Sequence, residues 1–472
     1  MTERHIHQLA DGDAIFIAVE NDRAPSHIGG LVVMDGRDSD GFGFEHMVGR
    51  IEERIALVPR FTWKLHEVPF GLDRPYFVED ERFDARAHVH RVALPGEGTL
   101  RDLNELAALL HARPLDRGRP LWEAWWIEGL EDGRAALLIK MHHCLVDGEG
   151  GVGLTEILMD LSPDAEQPLI PLEMRERTPA APAPSDLATR AVMNALSRPR
   201  RFFDHGRHAL RALGGQLIGD PTTHYAPSPF EVPRVDFNES VGPRRAFASI
   251  SVPLESVREM KKHFDVTVND VLLELVGASL RRSLRDRGAL PEAPLVACCP
   301  VSHREAGDKS LDNQIGMMPV AIATHLADPA KRLKEINRSA AHAKTKVARG
   351  GFDLMTALGE VLVPKAIEWL TAAGDMALDR MPLPGNFVFS NVRGLPVPVY
   401  MAGARVDAMY PMSMLQVGNG LNVTAVSYMD RIDFGFLVDP DLVPDPQALA
   451  DEIPAALEAL QNAAAGVVHR ER

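Results

Sequence analysis

Two kinds of apolar spacing take turns along this chain. In one, apolar residues alternate with polar ones or run unbroken for about six to eight positions, as in a strand. In the other they recur every three to four, as in a helix. The first kind predicts strands over residues 28–34, 87–94, 122–127 and 135–141, and the second predicts helices over 44–57 and 103–110. Glu131-Asp132-Gly133, between the last two strands, suits a hairpin turn. Alternation resumes near residue 244. It predicts strands over 295–301, 386–391, 421–428 and 431–438, and helices over 271–284, 332–346 and 449–460. Pro454 is a candidate to delay the start of the last helix.

The pattern breaks in the middle. Pro171, Pro179, Pro182 and Pro184 stand among small residues and read as a linker. After them, Arg198, Arg200, Arg201, Arg207 and Arg211 accompany Phe203, Leu210, Leu213 and Leu217, which share one helical face. Two readings fit this basic amphipathic segment: a solvated helix packed on a domain, or a helix lying on a membrane surface. The chain thus divides into mixed α/β blocks over 1–170 and 225–472, joined by a linker over 171–224.

Composition narrows the class. At 45% hydrophobic and 25% charged residues, the 472-residue chain is an ordinary globular protein large enough to bury its cores without covalent staples. Its three cysteines, Cys144, Cys298 and Cys299, give an odd count with two adjacent, so no disulfide framework fits and a reducing compartment is expected. The opening Met-Thr-Glu-Arg-His-Ile-His has no signal-peptide apolar stretch, and no run of about 18 apolar residues appears, so the expected address is the cytoplasm. A net charge of −15 argues against nucleic acid as a partner.

The chemistry concentrates in one place. The apolar strand ending at Met141 runs into His142-His143-Cys144-Leu145-Val146-Asp147-Gly148, and Gly150, Gly151 and Gly153 lead on into a helix. Successive strand side chains point to opposite faces, so His142 and His143 are not expected to share a cavity, and no metal is expected between them. One reactive histidine with a nearby carboxylate remains. A neutral imidazole accepts the proton of an alcohol as that alcohol attacks a carbonyl, and its ordinary pKa of about 6.5 suits neutral pH. Asp147 either orients the imidazole or pairs with an arginine, Arg393 or Arg405, to brace the loop; spacing does not separate these. Gly148 permits a tight turn. Cys144, directed away from His143 if it follows the strand, is not taken as a nucleophile.

His142-His143-x-x-x-Asp147-Gly148 resembles the signature of the CoA-dependent acyltransferase superfamily, which includes chloramphenicol acetyltransferase, carnitine acyltransferases and non-ribosomal peptide condensation domains. Other segments resemble one branch, the bacterial wax ester synthase/acyl-CoA:diacylglycerol acyltransferases. They are Pro120-Leu121-Trp122, Asn269-Asp270, Pro300-Val301-Ser302 with Asn313-Gln314-Ile315, Ser390-Asn391-Val392-Arg393-Gly394, Ser427-Tyr428 and Asp433-Phe434-Gly435. The matches run in family order from about residue 9 to 450. Departures are Leu9-Ala10-Asp11-Gly12-Asp13 for the usual Leu-Ser-Pro-x-Asp opening, Asp312-Asn313 for a Gly-Asn pair, and Arg393 where proline is common.

The resemblance implies two chloramphenicol-acetyltransferase-like domains with an active-site channel between them. It implies direct transfer of a long acyl chain from acyl-CoA to diacylglycerol or a long-chain alcohol, with His143 as general base, acyl-CoA as a substrate and no cofactor. Reversible association with the inner membrane or lipid inclusions follows from such substrates. An acyltransferase for a polyketide or glycolipid acceptor, and a lipid carrier without activity, are the alternatives.

The remaining motifs have ordinary explanations beside functional ones. Pro120-Leu121-Trp122 reads as the buried start of a strand. Thr267 and Asp270 form a capping box, and the resemblance brings that helix end and Asn269 near the active site. Ser390 and Asn391 end a strand, or stand across the channel near the thioester oxygen. His88 and His90 read as surface residues on one strand face.

Overall fold

The structure is a computed structural model that describes residues 7–37, 39, 41–55, 57–145, 158–164, 182–183, 185–187, 189–194, 231–302, 315–348, 362–376 and 383–470. In chain order the first part comprises β1 (His7–Gln8), α1 (Asp11–Val19), β2 (His27–Asp35), α2 (Phe44–Ile55), β3 (Trp63–His66), β4 (Tyr76–Glu79), β5 (Val89–Ala93), α3 (Leu100–His111), β6 (Trp122–Glu128) and β7 (Ala135–His142). The second part comprises β8 (Ala246–Pro253), α4 (Leu254–Phe264), α5 (Val268–Asp286), β9 (Val296–Ser302), β10 (Ile315–Ala321), α6 (Pro329–Ala348), α7 (Pro364–Met376), β11 (Phe387–Val392), β12 (Tyr400–Met401), β13 (Ala404–Met412), β14 (Leu421–Tyr428), β15 (Arg431–Val438) and α8 (Pro446–Arg470).

The largely apolar run at 135–142 becomes the most enclosed strand of its sheet. Every residue of β7 is buried, with β2 and β6 antiparallel on its two sides. Its one internal charge, Lys140, is fully buried. Lys140 donates to the carbonyls of Leu110 and Arg113 at the C-terminal end of α3, at 3.2 and 2.8 Å, and lies 3.2 Å from Glu123. Those carbonyls form the negative end of the helix dipole, so the ammonium is compensated there. Thr99 caps α3 reciprocally with Asp102, and Leu103, Ala107 and Leu110 turn one apolar stripe onto the sheet.

Three sheets result. One has the order β12-β13-β2-β7-β6-β5, a second β10-β9-β11-β14-β15-β8, and a small third β1-β4-β3. Residues 400–412 therefore cross the linear division of the chain: β13 pairs antiparallel with β2, from Arg405 opposite Asp35 to Met412 opposite Gly29. The same strand touches the second sheet. The Met409 amide donates to Asp433 Oδ2 at 2.9 Å, while Asp433 also accepts from Ser251 Oγ at 2.6 Å and Arg431 Nε at 2.8 Å. Asp433 thus bonds three strands from a buried position. Two residues on, Gly435 stands where an added Cβ would lie 1.9 Å from the Pro411 carbonyl oxygen. The Asp433-Phe434-Gly435 segment is accounted for by this crossing: a carboxylate to hold the sheets and a missing side chain to let them meet.

Two expectations need correction. His88 is not on a strand surface. It closes a 3-10 turn, Ala85–His88, is buried at 3% exposure, stacks on Trp122 at 4.6 Å and bonds through Nδ1 to the Trp122 carbonyl at 2.8 Å. Burial lowers its pKa, and that of the half-buried His90 beside Trp125. Paired tryptophans in β6 recruit both rings, which no spacing rule registers. Pro454 does not delay α8. Asp445 accepts the Ala448 amide at 3.1 Å and Pro446 occupies the first turn, so the helix starts before Pro454, which sits exposed within it.

The linker over 171–224 lies largely outside the described residues, and the basic segment over 197–218 wholly so. Among the described residues no helix is long and apolar enough to cross a membrane.

Gly435→Ala is expected to destabilise the fold by about 3 kcal/mol, because its methyl would lie closest to the Pro411 backbone, which cannot yield as a flexible side chain can, and would also crowd the Phe247 ring. The check is the urea midpoint; Gly466→Ala, exposed in α8 with nothing near its Cβ, serves as the control, which is expected at or slightly above the parent value because alanine favours the helix.

Candidate active site

The end of β7 is the point where strand bonding gives way to a turn. The His142 amide donates to the Leu121 carbonyl at 2.9 Å, and the next amide, of His143, donates to the Ser26 carbonyl at 2.9 Å. The residues just ahead of β6 and β2 thereby hold the end of β7 and the start of the turn that follows, the 3-10 turn His143–Leu145. His143 is therefore in the turn and not on the strand, so the expected alternation of the two rings does not carry through. Both rings instead lean on α1 and its C-cap. His143, half-buried, stacks on Phe16 with ring centroids 4.0 Å apart and planes at 12°. His142, only 1% exposed, places Nε2 3.6 Å from Oε2 of Glu20, the C-cap residue of α1. Phe16 and Glu20 are four residues apart, one helical turn.

His142 is tied into the turn by its other nitrogen. The Cys144 amide donates to His142 Nδ1 at 3.1 Å. Glu20 accepts from Arg117 Nη2 at 2.6 Å and Nε at 3.0 Å through Oε2, and from the Ser26 amide at 3.0 Å through Oε1. Burial alone would raise the Glu20 pKa, but His142 and Arg117 more than offset it and hold the carboxyl down at about 2. Arg117 also donates to the Ile17 carbonyl at 3.0 Å and to Glu67 at 3.2 Å. Pro120-Leu121-Trp122 proves to be a support of this turn. Leu121 supplies the carbonyl for His142, while Trp122, buried, donates its indole N–H to the Phe61 carbonyl at 2.7 Å.

Cys144 is buried inside this support, and burial pushes its thiol pKa far up, with Asp13 and Glu20 adding to the effect. It is not disposed to act as a nucleophile. Burial also raises Cys298, to about 12, and Cys299 further.

Asp147 and Gly148 lie outside the described residues. Of the two arginines considered for Asp147, Arg405 bonds Asp407 at 2.9 Å. The other site residues belong to the second sheet and its helices. Asp270 completes the capping box with Thr267 and accepts from Asn337 Nδ2 at 2.9 Å, so capping explains it; Asn269 beside it is half-buried. Ser390 and Asn391 pair in parallel register with Thr424 and Ala425 of β14; Ser390 is half-buried and Asn391 exposed. Gly394 lets that segment turn onto β14, since a Cβ there would lie 2.1 Å from the Ser427 carbonyl oxygen. Among the described residues no three histidine, cysteine or carboxylate groups cluster as metal ligands.

Sequence reasoning missed Phe16, Glu20, Ser26 and Arg117. Each is ordinary in its local setting, and only folding brings them to the histidine turn. The one available signal was position: Arg117 stands just ahead of Pro120-Leu121-Trp122.

Two mixed α/β units, one ending its central strand in a histidine pair, define a chloramphenicol-acetyltransferase-like architecture. The fold is shared with the first condensation domain of the calcium-dependent antibiotic synthetase, at TM-score 0.57 and 16% identity over 96% of each chain. The wax ester synthase/diacylglycerol acyltransferase catalytic domain matches residues 9–272, and the WS/DGAT C-terminal domain matches 311–461. This chain belongs to the wax ester synthase/diacylglycerol acyltransferase family. A putative diacylglycerol O-acyltransferase of Mycobacterium tuberculosis is 32% identical over 462 residues, covering 96% of this chain and 90% of the relative. A probable diacylglycerol O-acyltransferase of the same organism is 33% identical over 477 residues, covering 96% and 99%. The solved wax ester synthase/diacylglycerol acyltransferase of Marinobacter aquaeolei superposes at TM-score 0.69 with 27% identity, over 97% of this chain and all of that one.

The three buried thiols are expected to be silent toward Ellman's reagent at pH 8 in the native protein and to react together once guanidinium unfolds it. Native release of one equivalent would contradict the burial of one of the three thiols.

Proposed function

We propose that this protein transfers a long-chain acyl group from acyl-CoA to the hydroxyl of diacylglycerol or a long-chain alcohol, giving triacylglycerol or a wax ester and free CoA, with His143 as the general base. The observation that carries the reading is the placement of one half-buried imidazole at the end of a fully buried strand, with its backbone held by Ser26 and its face by Phe16. A base must be held in one pose to be useful, and a positioned one contributes about 10² to 10⁴ in rate.

The chemistry is direct. The acceptor hydroxyl gives its proton to the His143 imidazole as its oxygen attacks the thioester carbonyl carbon. The carbonyl oxygen takes up negative charge, the C–S bond then breaks as the carbonyl reforms, and the imidazolium returns the proton to the departing thiolate. Donors at the oxyanion contribute about 2.7–4 kcal/mol each in comparable enzymes. Ser390, Asn391 and Asn269 are the polar side chains from the second unit that this reading assigns to the thioester side, and it assigns Asp147 and Gly148 a supporting role beside His143. Acyl-CoA is a substrate, and the reaction needs no further cofactor.

His143→Ala is expected to lower CoA release from palmitoyl-CoA with diolein or hexadecanol by at least about 10²-fold while the protein stays folded. Turnover near the parent value would remove His143 from the reaction.

Substrates of this length reside in membranes or lipid inclusions, and reversible attachment to such surfaces belongs to the same proposal. In a flotation experiment the protein is expected to rise with vesicles containing diolein. Complete recovery at the bottom of the gradient would eliminate that attachment.

A further inference from the structure

The geometry points to Glu20 as a positioning residue for His143, acting through His142 and Ser26; this rests on the reading of His143 as the base. The first link follows from hydrogen-bond direction. A backbone amide only donates, so the Cys144 N–H on His142 Nδ1 requires a lone pair there, and the ring hydrogen sits on Nε2. That Nε2–H faces the Glu20 carboxylate at 3.6 Å. The contact is longer than a full hydrogen bond, and at that separation the carboxylate acts on the ring N–H by electrostatic attraction. The second link is through the main chain: Glu20 accepts the Ser26 amide, and the Ser26 carbonyl accepts the His143 amide. One carboxylate therefore governs both ends of the histidine pair, the ring of His142 and the backbone of His143.

The arrangement has the logic of an outer residue that fixes the tautomer and pose of an inner one. Arg117, with two nitrogens on Oε2, holds the carboxylate still, and Phe16, one turn earlier on the same helix, covers the His143 face. A carboxylate needed merely as the partner of Arg117 has no use for the Ser26 and His142 contacts. A shift of α1 would move Phe16 and Glu20 together, so the helix reaches the base both directly and through its neighbour.

The experiment is a double-mutant cycle in the full-length protein. Glu20→Gln keeps the shape and an acceptor for Ser26 but presents no carboxylate to Nε2–H. His142→Asn keeps an acceptor for the Cys144 amide but loses the ring nitrogen facing Glu20. Each is expected to lower kcat about 10-fold with the KM for palmitoyl-CoA within about twofold, and the pair to be no worse than the poorer single variant. A folded Glu20→Gln protein with parental kcat, or losses that multiply to about 100-fold in the pair, would overturn the role. His143→Ala in the same assay separates the two ideas: it must lower turnover by at least about 10²-fold for the base assignment to stand, whatever Glu20→Gln does. Should Glu20→Gln not fold, the parent protein still decides. Nitrogen-15 spectra of its histidine rings, with His142 assigned by its absence in His142→Asn, must show the Nε2–H tautomer; an Nδ1–H tautomer would rule the relay out.

Discussion

The structure depends on how β7 ends. A strand buried on both faces must satisfy every amide and carbonyl within the protein, because no water reaches them. Leu121 on one side takes the last amide of β7, Ser26 on the other takes the first amide of the turn, and the Cys144 amide then finds the His142 ring in place of a strand partner. The pairing runs out within three residues, and the chain is turned while still fully bonded. His143 emerges at that turn in a fixed pose, and the chemistry assigned to it is possible because the backbone behind it has nowhere else to go.

The second constraint is the passage of β13 between the sheets. It belongs by pairing to the first sheet and by the Met409–Asp433 bond to the second. The two units are therefore not independent bodies joined by a linker, since β13, from residues beyond 400, pairs beside β2 in the sheet whose strand β7 leads into the histidine pair. Gly435 and Asp433 make the crossing possible, one by absence of bulk and one by satisfying donors from neighbouring strands. A family segment at such a place reflects assembly of the scaffold, not contact with substrate.

Electrostatically the site rests on buried charges that are all compensated. Glu20 is held ionised by Arg117 and His142, and Lys140, two residues before His142, is received by the end of α3 and by Glu123. Leaving any of these alone in the interior would cost several kcal/mol. Their pairing explains how a strand as apolar as β7 carries a lysine and a histidine pair without unfolding at that end.

The periodicity of the sequence determined the strands at β2, β6, β7, β14 and β15 and most of the long helices, because alternation and amphipathic spacing are local consequences of which face is buried. The capping boxes at Thr99 and Thr267 show the limit of that reading: the second was legible as a short motif, whereas the partner of Asp270 on α6, Asn337, was not. The histidine pair was legible because its residues are adjacent. Phe16, Glu20 and Arg117 were not, because each is separated from it by many residues and looks unremarkable locally. The burial of His88 and the insertion of β13 beside β2 likewise depend on partners supplied from elsewhere in the chain. Local pattern fixes what a segment can be; which segments meet is set by the packing of whole sheets, and that decided which carboxylate stands beside the histidine pair.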